Sequence, residues 1–118
     1  DGFYTFAQFD TPSKANCSPK ICDWIDSYES IFGNSPNIGS AYGYMYMDIT
    51  ARALEIAGRD LTTDSFLNAL ESINDYKIPF GDTTLSWSPE KHLGANVAYL
   101  FEVQNGTFIQ TDNKEYTY

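Results

Sequence analysis

The run over residues 39–58, GSAYGYMYMDITARALEIAG, constrains this chain more than any other stretch. Its period is helical and it closes on a glycine, yet it is apolar around much of its circumference. Tyr42, Met45, Tyr46, Ile49, Ala53 and Ile56 form one face, and Met47, Leu54 and Ala57 widen that stripe well beyond the one a surface helix shows. Such a helix needs cover on more than one side. The cover has to come from a sheet or from other segments.

The neighbouring pattern supplies some of it. Residues 2–7 alternate weakly and are rich in Phe and Tyr, as a short strand is. A loop with prolines follows, and Ser18 then offers an N-cap hydroxyl with Pro19 at the first helical position, where its missing donor costs nothing. Ile21, Trp24, Ile25, Tyr28, Ile31 and Phe32 make the apolar stripe of a first helix that Gly33 and Asn34 end. Thr62 or Thr63 caps a third helix with Phe66, Leu67, Leu70 and Ile73 inward. Beyond Asn74 the pattern turns strand-like at 77–80, 83–87, 95–103 and 107–111, with Gln104-Asn105-Gly106 joining the last two as a hairpin. Three helices followed by strands describe an α+β domain if the chain folds alone.

Composition excludes several partners. With 16 acidic against 7 basic residues the net charge is −9, which repels a phosphate backbone or an anionic membrane. No apolar run approaches the roughly 20 residues of a membrane span. Aromatic residues are 16% of the chain, which invites a sugar-stacking reading. Trp24 with Tyr28, and Tyr42 with Tyr46, nevertheless recur at helical spacing, and core filling is the better account of them.

Chemistry-bearing residues are few. Cys17 and Cys22 are a disulfide, a metal pair or two free thiols; with one histidine in the chain, the metal reading lacks ligands. Inside one helix two cysteines five apart would have Cα atoms about 8.6 Å apart, beyond the roughly 7 Å a disulfide tolerates. A bridge therefore needs Cys17 outside the helix, where the Ser18 cap puts it. In an oxidising compartment it would contribute about 2 kcal/mol by restraining the loop. His92 is the one imidazole, and a surface or loop-packing role fits it better than catalysis. No phosphate-cradling or zinc-protease motif occurs, so neither enzyme chemistry, metal nor cofactor is expected. Asn16-Cys17-Ser18 and Asn105-Gly106-Thr107 match the glycosylation triplet, a pattern that also arises by chance.

The order of these segments resembles the closing part of type I periplasmic substrate-binding proteins, those of branched-chain amino-acid ABC importers. Asp1-Gly2-Phe3-Tyr4-Thr5-Phe6 resembles the family's hinge strand, and residues 28–33 the end of the helix after it. Gly43-Tyr44 followed by Ala53-Leu54-Glu55-Ile56-Ala57-Gly58 resembles its late helix, residues 64–70 the next helix, and 81–87 with 92–108 the closing strands. The resemblance implies an α/β fold of two lobes joined by crossing strands, of which this chain would be about the last third. It assigns 1–9 to a hinge strand, 10–95 to the first lobe and 96–118 to a hairpin returning to the second. Ligand then meets the loop ahead of the late helix, Asn37 to Tyr42 with Ile38, Gly39 and Tyr42 foremost, and chain leaving the hinge, with Gln8 foremost. Free backbone donors before a helix suit a carboxylate.

The implied role is non-enzymatic. It is reversible capture of an amino acid or related small carboxylate by lobe closure, in the periplasm or outside the cell, in a secreted or lipid-anchored parent protein that docks on an importer's membrane subunits. A sensing receptor ectodomain of the same fold and a self-sufficient secreted binding module are the alternatives. Alone, the segment is expected to cover its over-apolar helix with a copy of itself or with a rearranged fold.

Overall fold

Local signals start and stop the helices. The computed structural model describes residues 2–15 and 17–118; Asp1, at the head of the predicted hinge strand, and Asn16, of the first glycosylation triplet, lie outside the described residues. The chain runs β1 (Tyr4–Ala7), α1 (Pro19–Phe32), α2 (Ile38–Ala57), α3 (Thr63–Glu71), β2 (Tyr76–Lys77), β3 (Thr84–Leu85), β4 (Val97–Gln104), β5 (Thr107–Gln110) and β6 (Tyr116–Thr117). Pro19 opens α1, and Gly33 closes it in the left-handed region at φ 72°, its N–H donating to the Glu29 carbonyl. The caps of α2 and α3 are reciprocal: the side chains of Asn37 and Thr62 accept from the N–H groups of Ser40 and Ser65, whose hydroxyls accept from the cap N–H groups.

Three expectations need correction. Residues 38–42 are the first turn of α2 rather than a loop ahead of it, because the Asn37 cap starts the helix there. The predicted apolar stripes run past the core: Ile31 and Phe32 on α1, Tyr46 and Ile56 on α2, and Leu67 on α3 are exposed. The strands expected at 77–80 and 83–87 pair over two residues only, Tyr76 with Leu85 and Lys77 with Thr84. Pro79 lacks the donor that would extend this ladder, and the chain turns between Ile78 and Thr83, whose backbone groups bond at 3.1 Å.

Strand β4 organises the main sheet. It pairs antiparallel with β1 (Tyr4 opposite Glu102, Ala7 opposite Tyr99), with β5 (Phe101 opposite Gln110) and, at its start, with β6 (Ala98 opposite Tyr116). The turn into β5 has Asn105 and Gly106 at φ 53° and 77°, the two positive values that a two-residue hairpin turn of strand-matching twist requires. The main core lies in the helical layer, where Ala41, Met45, Ile49 and Ala53 of α2 meet Ala69, Ile73, Tyr76, Ile78 and Leu85, with Phe9 and Ala95 joining from either end of the sheet connections.

The result is a slab. Its principal extents are 50 × 38 × 19 Å and its radius of gyration is 16.3 Å, against about 13.5 Å for a compact domain of this length. Its accessible surface is 7612 Å2, roughly 1,100 Å2 more than a compact monomer of this mass presents.

Candidate functional site

A cleft of 670 Å3 opens where the two sheet connections meet the start of α2. Phe6, Ala7 and Gln8 come from the end of β1, Tyr42 and Tyr46 from α2, Ala98 from β4, and Tyr116, Thr117 and Tyr118 from β6 and the residue after it. Its volume falls within the roughly 300–1,000 Å3 of small-molecule sites.

Each side chain is held by identifiable contacts. The buried Thr83 hydroxyl donates to the Gln8 carbonyl at 2.8 Å, which fixes the backbone where the chain leaves β1. Gln8 Nε2 donates to the Tyr118 hydroxyl at 3.3 Å. The Tyr42 ring lies 4.8 Å from Phe9 and 5.8 Å from Tyr46, and Phe6 meets Tyr116 edge-on at 5.1 Å. Helical spacing explains the Tyr42–Tyr46 pair, and on the sheet Tyr116 stands opposite the small Ala98, which leaves room beside its ring. Burial, then the neighbouring Tyr46 and Tyr118, pushes the Tyr42 hydroxyl pKa upward, so this phenol stays neutral at physiological pH.

Of the sequence-predicted contacts, the structure brings Gln8 and Tyr42 together in this cleft and leaves Ile38 and Gly39 out of it. The free backbone donors expected at 37–42 are in part spoken for, because the Asn37–Ser40 capping box occupies them and Ser40 Oγ donates on to the Tyr28 hydroxyl at 3.0 Å. Gly39 has a structural reason: a Cβ there would lie 3.1 Å from the capping Asn37 Oδ1. Tyr46, assigned from the sequence to the core, is a cleft residue, and Phe6, Tyr116 and Tyr118 join it without having been singled out. The i, i+2 spacing of Tyr116 and Tyr118 was the available signal.

A second cavity of 520 Å3 lies on the other flank of α2, lined by residues 10–13, 17 and 18 ahead of α1, by Lys20 and Ile21 of its first turn, by Asp48 and Arg52, and by the 76–82 segment. The charges of Asp48 and Arg52 there are already matched. The Tyr76 hydroxyl donates to Asp48 Oδ2 at 2.7 Å, Arg52 Nε reaches the same carboxylate at 3.2 Å, and the guanidinium sits 4.9 Å over the Tyr76 ring. Burial, followed by the hydrogen bond to Asp48, raises the Tyr76 pKa. Cys17 and Cys22 are bonded beside this cavity with Cα atoms 5.5 Å apart, Cys17 standing before the Ser18 cap. His92 lies in neither cavity and meets Glu71 at 2.9 Å. Among the described residues no cluster of three metal-capable side chains occurs.

A profile of the periplasmic binding protein family matches residues 1–107. The chain belongs to that family. The three helices and antiparallel sheet superpose on solved structures: an extracellular ligand-binding receptor from Rhodopseudomonas palustris HaA2, at TM-score 0.68 and 20% identity over 94% of this chain and 34% of that one, and a protein assigned to branched-chain amino acid ABC transport from Rhodospirillum rubrum, at TM-score 0.64 and 23% identity over 91% and 30%. The chain thus spans about a third of the length of the structures it matches, and its fold is that portion of the type I periplasmic-binding-protein architecture. No curated protein matches the sequence. In a family whose business is solute binding, a cleft built on two adjacent strand exits is the natural candidate site.

Proposed function

We propose that this chain supplies one wall and two crossing strands of the ligand cleft in an extracytoplasmic solute-binding protein that serves an ABC importer. The observation that carries the reading is where the chain leaves the sheet. Residues 4–7 and 97–104 pair side by side in it, while Phe9 and Ala95, just outside those strands, belong to the helical core. Both crossings therefore lie together at the cleft, near residues 8 and 95–96. Small φ and ψ changes there would swing the sheet against the helical layer and open or close the cleft between them, as hinge closure requires. Ligand that binds the closed form better shifts the population toward it.

On this reading residues 1–9 are the hinge strand, 10–95 part of one lobe, and 96–118 the return to the other. The solute is an amino acid or a related small carboxylate, and the importer's membrane subunits are the partner. The periplasm or cell exterior suits the Cys17–Cys22 bond. A sensing ectodomain is the second reading, favoured by the receptor among the structural matches.

The test is a two-dimensional NMR titration of the chain with amino acids and small carboxylates at millimolar concentration. Shifts centred on Gln8, Tyr42 and Tyr118 support the cleft. Shifts centred instead on Asp10, Lys20 and Arg52 would move the site to the other cavity and contradict it.

A further inference from the structure

Resting on that reading, we infer that the part of the solute facing this wall is an aromatic ring, so that the ligand class is an amino acid or small carboxylate with an aromatic side group. The wall presents five rings, Phe6, Tyr42, Tyr46, Tyr116 and Tyr118, and a single amide, Gln8. None of the described side chains lining it is charged, although the chain as a whole has net charge −9, and the Lys114 ammonium, 4.7 Å over the Tyr116 ring, is engaged with that ring. No lining side chain offers a counter-ion to a carboxylate, whose burial against the rings would cost desolvation, and an ammonium would meet only ring faces there. Ring faces and edges instead attract another ring in offset or edge-on contact, worth more than the buried area alone.

One feature favours a ring over a sugar, and a second gives the ring its place. The Gln8 amide and the Tyr118 hydroxyl already bond each other, and the Tyr118 hydroxyl also reaches the Ala95 carbonyl at 3.5 Å, so these polar groups are partly committed. Of the two α2 rings at the cleft the more accessible is Tyr46, 59% exposed and tilted only 30° from the ring plane of Tyr42. It forms a step open on one side, against which a flat group can lie. The charged end of the solute would then point away from this wall.

The experiment is the NMR titration of the 118-residue chain with four probes: L-phenylalanine, benzyl alcohol as the ring alone, L-leucine, and methyl α-glucoside. L-Phenylalanine and benzyl alcohol should both shift Gln8, Tyr42 and Tyr46 and bind at least fivefold more tightly than L-leucine or the glucoside. Tyr46→Ala should weaken the ring probes about fivefold, while Tyr46→Phe should restore them, since the ring and not the hydroxyl does the work. Equal or tighter binding of L-leucine or the glucoside at the same residues overturns the aromatic class and leaves the cleft standing. Shifts elsewhere, or none with any probe, overturn both.

Discussion

The two sides of α2 have similar apolar content and opposite fates. On one, Ala41, Met45, Ile49 and Ala53 are buried against α3 and the 73–85 segment. On the other, Met47 is 67% exposed and Leu54 42%, with Tyr46 beside them at the cleft. Neither Met47 nor Leu54 has a layer above it, which is why the molecule is a slab with surplus surface. The difference teaches that apolar patterning records every neighbour a helix was shaped to meet, and that a fold of three times this length has more neighbours to offer than this chain does.

Substitution should separate the two sides most sharply. Met45→Ala or Ile49→Ala removes packing atoms from the inner side and is expected to lower stability by about 2–5 kcal/mol, whereas Met47→Ala or Leu54→Ala should change it by no more than about 0.5 kcal/mol. Urea denaturation of the four variants checks this. Equal losses on the two sides would break the comparison.

The wall that α2 packs on can be tested next. At Gly94 a Cβ would come within 2.6 Å of Trp87 Cζ2, and an indole packed against the core has little room to yield. Gly94→Ala is expected to cost about 1–3 kcal/mol, seen in thermal unfolding together with a changed Trp fluorescence. At the edge of the inner side, Tyr76→Phe deletes a hydroxyl that donates to Asp48 at 2.7 Å while leaving the buried ring in place. A loss of about 1–2 kcal/mol is expected there. An unchanged urea midpoint would show that Arg52 satisfies Asp48 by itself.

The smallest effect lies at the rim, on α1. Lys14 Nζ bridges Asp26 at 2.6 Å and Glu29 at 2.7 Å, and Ser35 Oγ donates to Glu29 at 2.6 Å. The Lys14 bond, then that of Ser35, holds the Glu29 carboxyl below its ordinary value, and hydrogen bonds to Asp26, then Glu29, push the Lys14 ammonium up to about 12. A lowered acid contributes in full above its unfolded value and loses that contribution as pH falls through the folded one; a raised ammonium contributes below its unfolded value and loses it as pH rises through the folded one. These groups are at the surface, so the effect is slight. Lys14→Met should leave the neutral-pH midpoint almost unchanged and flatten its dependence below about pH 4.5. A large drop at pH 7 would mean that Lys14 holds the 10–18 loop in place.

What could be read in the sequence was local. Pro19, Gly33, the Thr62 cap and Asn105-Gly106 each act through chemistry confined to a few residues, and helices and hairpin fall where those signals put them. Which α2 residues are covered was not legible, because Met45 and Met47 look alike until the neighbours are known. Strands β2 and β3 were over-read for a similar reason: the apolar residues at 78–80 fill the core and its edge from a turn and need no ladder partner. In the cleft, Gln8 and Tyr42 were reachable through resemblance to the family. Tyr118 was not, since it meets Gln8 across 110 residues of chain.

Light scattering on a size-exclusion column, over a range of loading concentrations, tests the bare side of α2 most directly. The account predicts a mass that rises above 13.3 kDa with concentration, and its return to the monomer value in the Met47→Lys, Leu54→Lys double variant with secondary structure unchanged. A monomer at every concentration, insensitive to those two substitutions, would contradict the claim that this face is built to be covered.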